Sequence, residues 1–296
     1  MNSVAQVRPI IVIGPERSGT SVAAEMILAW GAYPGEPERL RKADVHNPRG
    51  YFEYLPIWDF LSNLGVNWWA PGFQERLSEK ASDPHHRQRA AELVAQMEKG
   101  GRSWVWKDPA LSFFLPFWNR IWKDPIYVVC VRNPSDTARS WAKFTLPSDA
   151  RDKDPFIQAN LLRWHYIMLL ILSNTEDVVS KIFLSYEKLM KDPANEARKL
   201  AMFLNAECGM IDSGSLSTSA MAGAVDPQLW HNRSGVTPEA NLHLANLYGF
   251  VAGKTVIPSE PFRPEDFPLP PGWRETVVTS ERQARIYRDK SGPTNA

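Results

Sequence analysis

Apolar residues along the chain fall into four short runs separated by longer amphipathic stretches. Residues 10–13 (IIVI) end at Gly14, and residues 104–106 (WVW) lead into Lys107-Asp108-Pro109. Two further runs lie at 126–131 (IYVVCV) and 182–186 (IFLSY). Runs of this length, rich in β-branched and aromatic residues, predict strands buried on both faces. The stretches 20–30, 84–99, 134–144, 156–172 and 194–204 carry helical composition between them. Strands alternating with helices predict parallel pairing, because parallel neighbours need crossover connections that cover the sheet. The expected fold is therefore a three-layer α/β sandwich around a central parallel sheet. Beyond residue 204 the pattern dissolves into Ser-, Gly- and Pro-rich sequence with one helix candidate, 238–250. No internal repeat is visible.

In such a fold ligands collect at the carboxyl ends of the strands. Each run is followed there by polar residues: Glu16-Arg17-Ser18, Lys107-Asp108, Arg132-Asn133 and Tyr186-Glu187. Composition narrows the ligand. Thirty-four basic against 33 acidic residues leave a formal charge of +1, so no broad polyanion surface is implied and nucleic acid is not an expected partner. Cys130 and Cys208 have neither disulfide nor metal-ligand spacing and are expected to be buried thiols in a reducing compartment. The N-terminal residues lack a signal-peptide apolar segment, and residues 166–172 (YIMLLIL) are too short to span a bilayer. A cytoplasmic protein is expected, as one domain over 1–296, with an α/β core at 8–205 and an extension at 206–296 covering the cleft.

The stretch GPERSGTS, residues 14–21, has the glycine spacing of a phosphate-binding loop, G-x-x-x-x-G-K-[ST], but Thr20 stands where the lysine belongs. Backbone amides opening a helix hold an anion without that lysine. Arg17 returns the charge from within the loop, and Ser18, Thr20 and Ser21 add hydroxyl donors. An ordinary turn and helix cap would use the same Ser and Thr residues. A kinase or nucleotide triphosphatase needs an acid for magnesium at a neighbouring strand end. The run IYVVCV instead ends in Arg132, which favours an anion bound without metal.

Residues 15–21 (PERSGTS) resemble the 5′-phosphosulfate loop of sulfotransferases that use 3′-phosphoadenosine 5′-phosphosulfate (PAPS). Residues 131–141 (VRNPSDTARSW) resemble the 3′-phosphate motif of that family, with Arg132 and Ser140 matching its phosphate ligands. Asn133-Pro134 independently suits a helix start beside Arg132, since proline is at home in a first turn. Residues 186–189 (YEKL), then Asp192-Pro193, resemble a third landmark whose tyrosine lies near the nucleotide. The likeness covers roughly residues 8 to 205. It implies a P-loop-kinase-like topology, PAPS as sulfuryl donor with PAP as product, no metal, and a hydroxyl-bearing small molecule, glycan or lipid-linked acceptor. The donor would be held by Arg17, Ser18, Gly19, Thr20, Ser21, Arg132, Ser140 and Tyr186.

Residues 46–53 (HNPRGYFE) resemble a signature of bacterial members, which makes Glu53 the expected base, with His46 the competing one. A capping carboxylate is the plainer reading of Glu53. Lys107 in WKDP matches a lysine that stabilises the transferring group, with Arg17 sharing that work, and Asp108 is expected to buttress Lys107 or the loop. The Arg-Lys-Gly loop of animal cytosolic members is absent. Residues 229–235 (LWHNRSG) are its candidate substitute, with Arg233 as a 3′-phosphate ligand. Trp58, Trp68 and Trp69 invite a carbohydrate platform, although core or rim packing accounts for most tryptophans. Residues 146–155 read as a lid or as a solvated connector. Two other functions share these features: a P-loop phosphoryl-transfer kinase, and a non-catalytic PAP- or nucleotide-binding protein.

Overall fold

The computed structural model describes residues 7–44, 47–147, 150, 152–209, 215–230, 242–253 and 262–290. Four strands form one parallel sheet: β1 (Pro9–Ile13), β2 (Trp104–Lys107), β3 (Ile126–Val131) and β4 (Lys181–Ser185), in the order β2-β1-β3-β4. In register, Val12 lies opposite Lys107 on one side and Val128 on the other. All four carboxyl ends therefore face the same edge, as the alternation of strands and helices predicts.

Successive strand residues point to opposite faces, and each face has its own core. Ile11, Ile13, Trp104, Trp106 and Val129 pack against α5 (Leu111–Trp118) and α7 (Asp154–Asn174) through Phe114, Ile167 and Ile171. Ile10, Val12, Val105 and Val128 pack against α1 (Thr20–Trp30) and α9 (Pro193–Glu207) through Ala23, Ile27 and Leu200. Helices on both faces of a parallel sheet make the three-layer sandwich. Cys130 and Cys208 are free and buried, and burial pushes the Cys130 thiol up to about 12.

Three local readings differ from expectation. Tyr186 opens α8 (Tyr186–Lys191), where the sequence run suggested the end of a strand, because Ser185 accepts the Lys188 amide and starts a helix there. Helices α2 (Leu55–Asn63), α3 (Phe73–Ser82) and α5 were not anticipated, and α5 contains Pro116 inside a wholly apolar run. The C-terminal region also holds more helix than one candidate. It carries α10 (Ser215–Gly223), α11 (Leu242–Ala252) and α12 (Trp273–Lys290), and residues 238–241 lie outside the described set. The remaining helices are α4 (Pro84–Glu98) and α6 (Pro134–Thr145), both beginning on proline as their sequences imply. Among the described residues no helix is long and apolar enough to cross a membrane.

Candidate functional site

A cleft of about 1400 Å³ opens at the carboxyl edge of the sheet. One wall is the loop between β1 and α1. Gly14 passes so close to β3 that a Cβ there would sit 2.6 Å from the Cys130 carbonyl oxygen. Gly19, the N-cap of α1, has φ 91°, and a Cβ on it would meet the Tyr186 ring at 2.6 Å. No other residue supplies both that conformation and that clearance. Arg17 is itself left-handed at φ 66°, a strained setting for a side chain that lines a cleft.

The loop meets the start of α6. Arg17 Nε donates to Ser140 Oγ at 3.2 Å, and Arg132 donates to the Arg17 carbonyl at 3.1 Å. Arg132 lies over the Tyr186 ring, 4.3 Å from its centroid. Burial, then the charge of Arg132, hold the Arg17 guanidinium below its ordinary value. Arg17 forms no salt bridge among the described residues. A bound anion would relieve both effects. Ser18 is buried with its hydroxyl unpartnered among the described residues, and Thr20 and Ser21 line the cleft. Asn133 caps α6, its side chain accepting from Ser135 and Asp136, while its own amide donates to Glu187 at 2.8 Å. That pair fastens the end of β3 to the end of β4, holding Arg132 and Tyr186 side by side.

A second charge cluster also lines the cleft. Lys107, only 3% exposed, donates from Nζ to Glu53 Oε1 at 2.7 Å. Arg41 donates to Glu53 Oε2 at 2.9 Å. Arg41 also stacks on Tyr51 at 3.7 Å from the ring centroid, and the Tyr51 hydroxyl donates to Asp44. Burial, then that bond, push Tyr51 up to about 12. Asp108 is buried and accepts from the Ala110 amide at 2.8 Å, which fixes the turn between Lys107 and α5. Burial, then the nearby Glu53 charge, raise Asp108 to about 7.

The structure thus brings Arg17, Gly19, Thr20, Ser21, Arg132, Ser140 and Tyr186 to one cleft with Glu53 and Lys107, whereas Ser18 is buried and does not line it. His46 and Arg233 lie outside the described residues, as do residues 148, 149 and 151 of the 146–155 stretch. Trp58 and Trp68 line the cleft, whereas Trp69 is buried. Sequence reading missed Arg41 and Arg163. Arg41 reaches Glu53 because Leu40 and Tyr54 form an antiparallel bridge that makes them cross-strand neighbours, a pairing that residue spacing does not reveal. Arg163 of α7 pairs with both Glu16 and Glu281, its Nε donating to Glu16 Oε2 at 3.2 Å, and so joins the loop to α12.

The family model described as Sulfotransferase family matches residues 9–209. The solved structure of a Mycobacterium avium sulfotransferase aligns with TM-score 0.52 and 16% identity over 82% of this chain and 76% of that one, a likeness of fold. The sulfotransferase domain of a Synechococcus olefin synthase aligns with TM-score 0.42 and 17% identity over 95% of this chain and 96% of that one. A mouse sulfotransferase complexed with PAP aligns with TM-score 0.40 and 15% identity over 97% of this chain and 89% of that one. No curated protein matches the chain.

Proposed function

Because the chain belongs to the sulfotransferase family, we propose that it moves a sulfuryl group from PAPS to an acceptor hydroxyl, with Glu53 as base. The observation that carries this reading is the convergence of two arginines, Arg17 and Arg132, with Ser140 at a glycine loop, in one cleft with the Lys107–Glu53 pair.

The residues fit the donor by charge. Arg17 and the amides of the 14–21 loop suit the 5′-phosphosulfate, since a helix N-terminus and a desolvated guanidinium both favour an anion. Arg132 and Ser140 suit the 3′-phosphate, and the Arg17–Ser140 bond makes the two anion sites continuous. When bound, PAPS supplies the sulfuryl group, which joins the acceptor oxygen as its bridge to the 5′-phosphate breaks and PAP keeps the electron pair.

Glu53 takes the proton of the acceptor hydroxyl. In the resting pair each of its oxygens accepts one hydrogen bond, Oε1 from Lys107 and Oε2 from Arg41, and each keeps a second lone pair for the incoming proton. As Glu53 takes the proton its negative charge is lost, and Lys107 turns its ammonium toward the charge developing on the transferring group. Lysine suits this exchange because its charge sits on a flexible stem. Arg41 keeps Oε2 and so keeps the carboxylate aimed. Asp108, held by the Ala110 amide, fixes the backbone from which Lys107 projects. The 224–229 segment and α12, which also line the cleft, serve in this reading as the cover over the α/β core of a single domain.

Calorimetric titration with PAP and AMP, followed by turnover of a generic hydroxyl acceptor, tests the reading. A PAP preference of about tenfold or more is expected from one charge-assisted contact to the 3′-phosphate. Equal affinity for the two nucleotides would overturn the donor assignment. Tight PAP binding without any turnover would instead favour a nucleotide-binding protein without catalysis.

A further inference from the structure

A carboxylate that takes a proton from one direction has to be held at one angle, and the two cations on Glu53 differ in how firmly they can hold it. Lys107 is buried at the end of β2. Arg41 is a long side chain, 44% exposed, and an ion pair so open to water fixes little, because solvent screens it and the chain keeps its rotamer freedom. The guanidinium needs a second restraint.

Tyr51 supplies it. Its ring lies against the guanidinium face, with Cζ of Arg41 3.7 Å from the ring centroid, while the guanidinium edge donates to Glu53 Oε2 at 2.9 Å. A planar guanidinium can be stacked on its face and hydrogen-bonded along its edge at once, which an ammonium cannot. The same ring lies 5.8 Å from Lys107 Nζ, so both cations of the proposed base share one aromatic neighbour. The ring is itself fixed. Tyr51 is 6% exposed, and its hydroxyl donates to Asp44, 2.8 Å from each carboxylate oxygen. Asp44 in turn accepts from the Asn47 amide at 3.0 Å. With its hydroxyl raised to about 12, Tyr51 stays protonated and acts as a donor, not as a rival base. The backbone is left-handed on both sides of it, at Gly50 (φ 102°) and at Phe52 (φ 56°). A phenylalanine adopts that conformation only where its surroundings enforce it. Here it lies between two residues that meet the same guanidinium, one by its face and one by its edge.

From this geometry we infer that Tyr51 is a positioning residue for the proposed base: its ring fixes Arg41, and Arg41 fixes the second oxygen of Glu53. The inference rests on the sulfotransferase reading for what Glu53 does, and on the contacts alone for what the ring does.

The experiment uses the full chain and three variants, Tyr51→Leu, Tyr51→Phe and Arg41→Lys, with two readouts. The first is the NMR resonance of the Arg41 Nε–H group, identified by its loss in Arg41→Lys. Ring current is expected to displace it upfield in the wild type and in Tyr51→Phe, and Tyr51→Leu is expected to return it to the position of a free arginine. The second is turnover of a generic hydroxyl acceptor with PAPS, beside calorimetric titration of PAP. Tyr51→Leu and Arg41→Lys are each expected to lower kcat roughly tenfold while acceptor KM and PAP affinity stay within about threefold, and Tyr51→Phe, which keeps the ring, is expected to recover most of that loss. An Arg41 resonance that does not move in Tyr51→Leu would overturn the inference, as would a loss in Tyr51→Phe as large as that in Tyr51→Leu. Should Tyr51→Leu fail to fold, Arg41→Lys decides, since it keeps the charge at a half-exposed position and removes only the stacked plane: kcat at the wild-type level there would overturn the inference. A wild-type protein that turns over no acceptor would fell the sulfotransferase reading, and the resonance would still show whether the ring holds Arg41.

Discussion

Lys107 ends the outer strand of the sheet, Glu53 lies in the loop before α2, and the two meet at 2.7 Å with the lysine almost fully buried. A buried cation is tolerable only with such a partner. Each of the two groups therefore holds the other in place.

That dependence separates chemistry from binding. Glu53→Gln is expected to lower turnover by roughly a hundredfold or more, the usual scale for a lost general base. An amide oxygen still accepts from Lys107, so PAP affinity should stay within about threefold, as read by calorimetry beside steady-state kinetics. Near-normal turnover would put the base elsewhere, with His46 the next residue to change.

Arg132→Ala is expected to weaken PAP by roughly ten- to a hundredfold while leaving AMP nearly untouched, because a charge-assisted contact is worth about 1.5–3 kcal/mol. The variant also frees the Arg17 carbonyl and uncovers the Tyr186 ring. Equal losses for both nucleotides would mean that Arg132 supports the loop and does not read the 3′-phosphate.

Arg163 carries two carboxylates from distant parts of the chain, Glu16 in the anion loop and Glu281 in α12, between the rings of Trp69 and Trp141. Arg163→Met is expected to cost about 3–5 kcal/mol in denaturant midpoint measurements, because it leaves two partly buried acids facing each other without a cation. Glu281→Gln, which leaves the Glu16 pair intact, should cost much less. Similar losses for the two would show that the second carboxylate carries as much as the shared cation.

His165 gives a signed pH dependence. Its Nε2 meets the Phe267 carbonyl at 3.0 Å, and burial lowers it to about 4. The unfolded chain takes up a proton near 6.5 that the folded chain refuses until about 4, so this group's stability is present above pH 6.5 and lost as pH falls toward 4. The full effect is on the order of 3 kcal/mol. Asp108, raised to about 7, works in the opposite sense, costing stability as pH rises from about 4 to 7. His165→Gln is expected to flatten the acid limb of stability between pH 6.5 and 4, measured as Tm against pH. An unchanged limb would assign the acid sensitivity to other groups.

The sheet and its flanking helices are legible in the sequence because each rests on a local signal. Four apolar runs mark the strands, and prolines mark the starts of α4, α6 and α9. The residues proposed to hold the donor are legible as a cluster for the same reason, since the loop after β1 and the helix after β3 each place them within a few residues. Arg163 is not, because it pairs with Glu16 and Glu281, more than a hundred residues away on either side, and Arg41 is not, because it meets Glu53 only through an antiparallel bridge that residue spacing does not show. Helix α5 hid behind Pro116, which reads as a breaker, yet the surrounding apolar residues bury so much surface that the helix holds. Helix α12 hid behind its charges: only Val277, Ser280 and Ala284 are buried along its described face, a spacing of three and four that is easily lost among arginines and glutamates.

The strand order carries a consequence for how such a chain diversifies. The two arginines and the glycine loop hang from the inner strands β1 and β3, whereas Glu53, Phe52, Trp58 and Trp68 all lie on one continuous stretch before the outer strand β2. In the proposed reading the nucleotide site and the acceptor site thus lie on separate lengths of polypeptide, joined by Lys107 at a sheet margin and by the Asn47–Ser21 and Arg49–Glu25 contacts. On that reading a lineage can retailor residues 52–68 for a new acceptor while keeping the contacts that Asn47 and Arg49 make with the helix of the glycine loop.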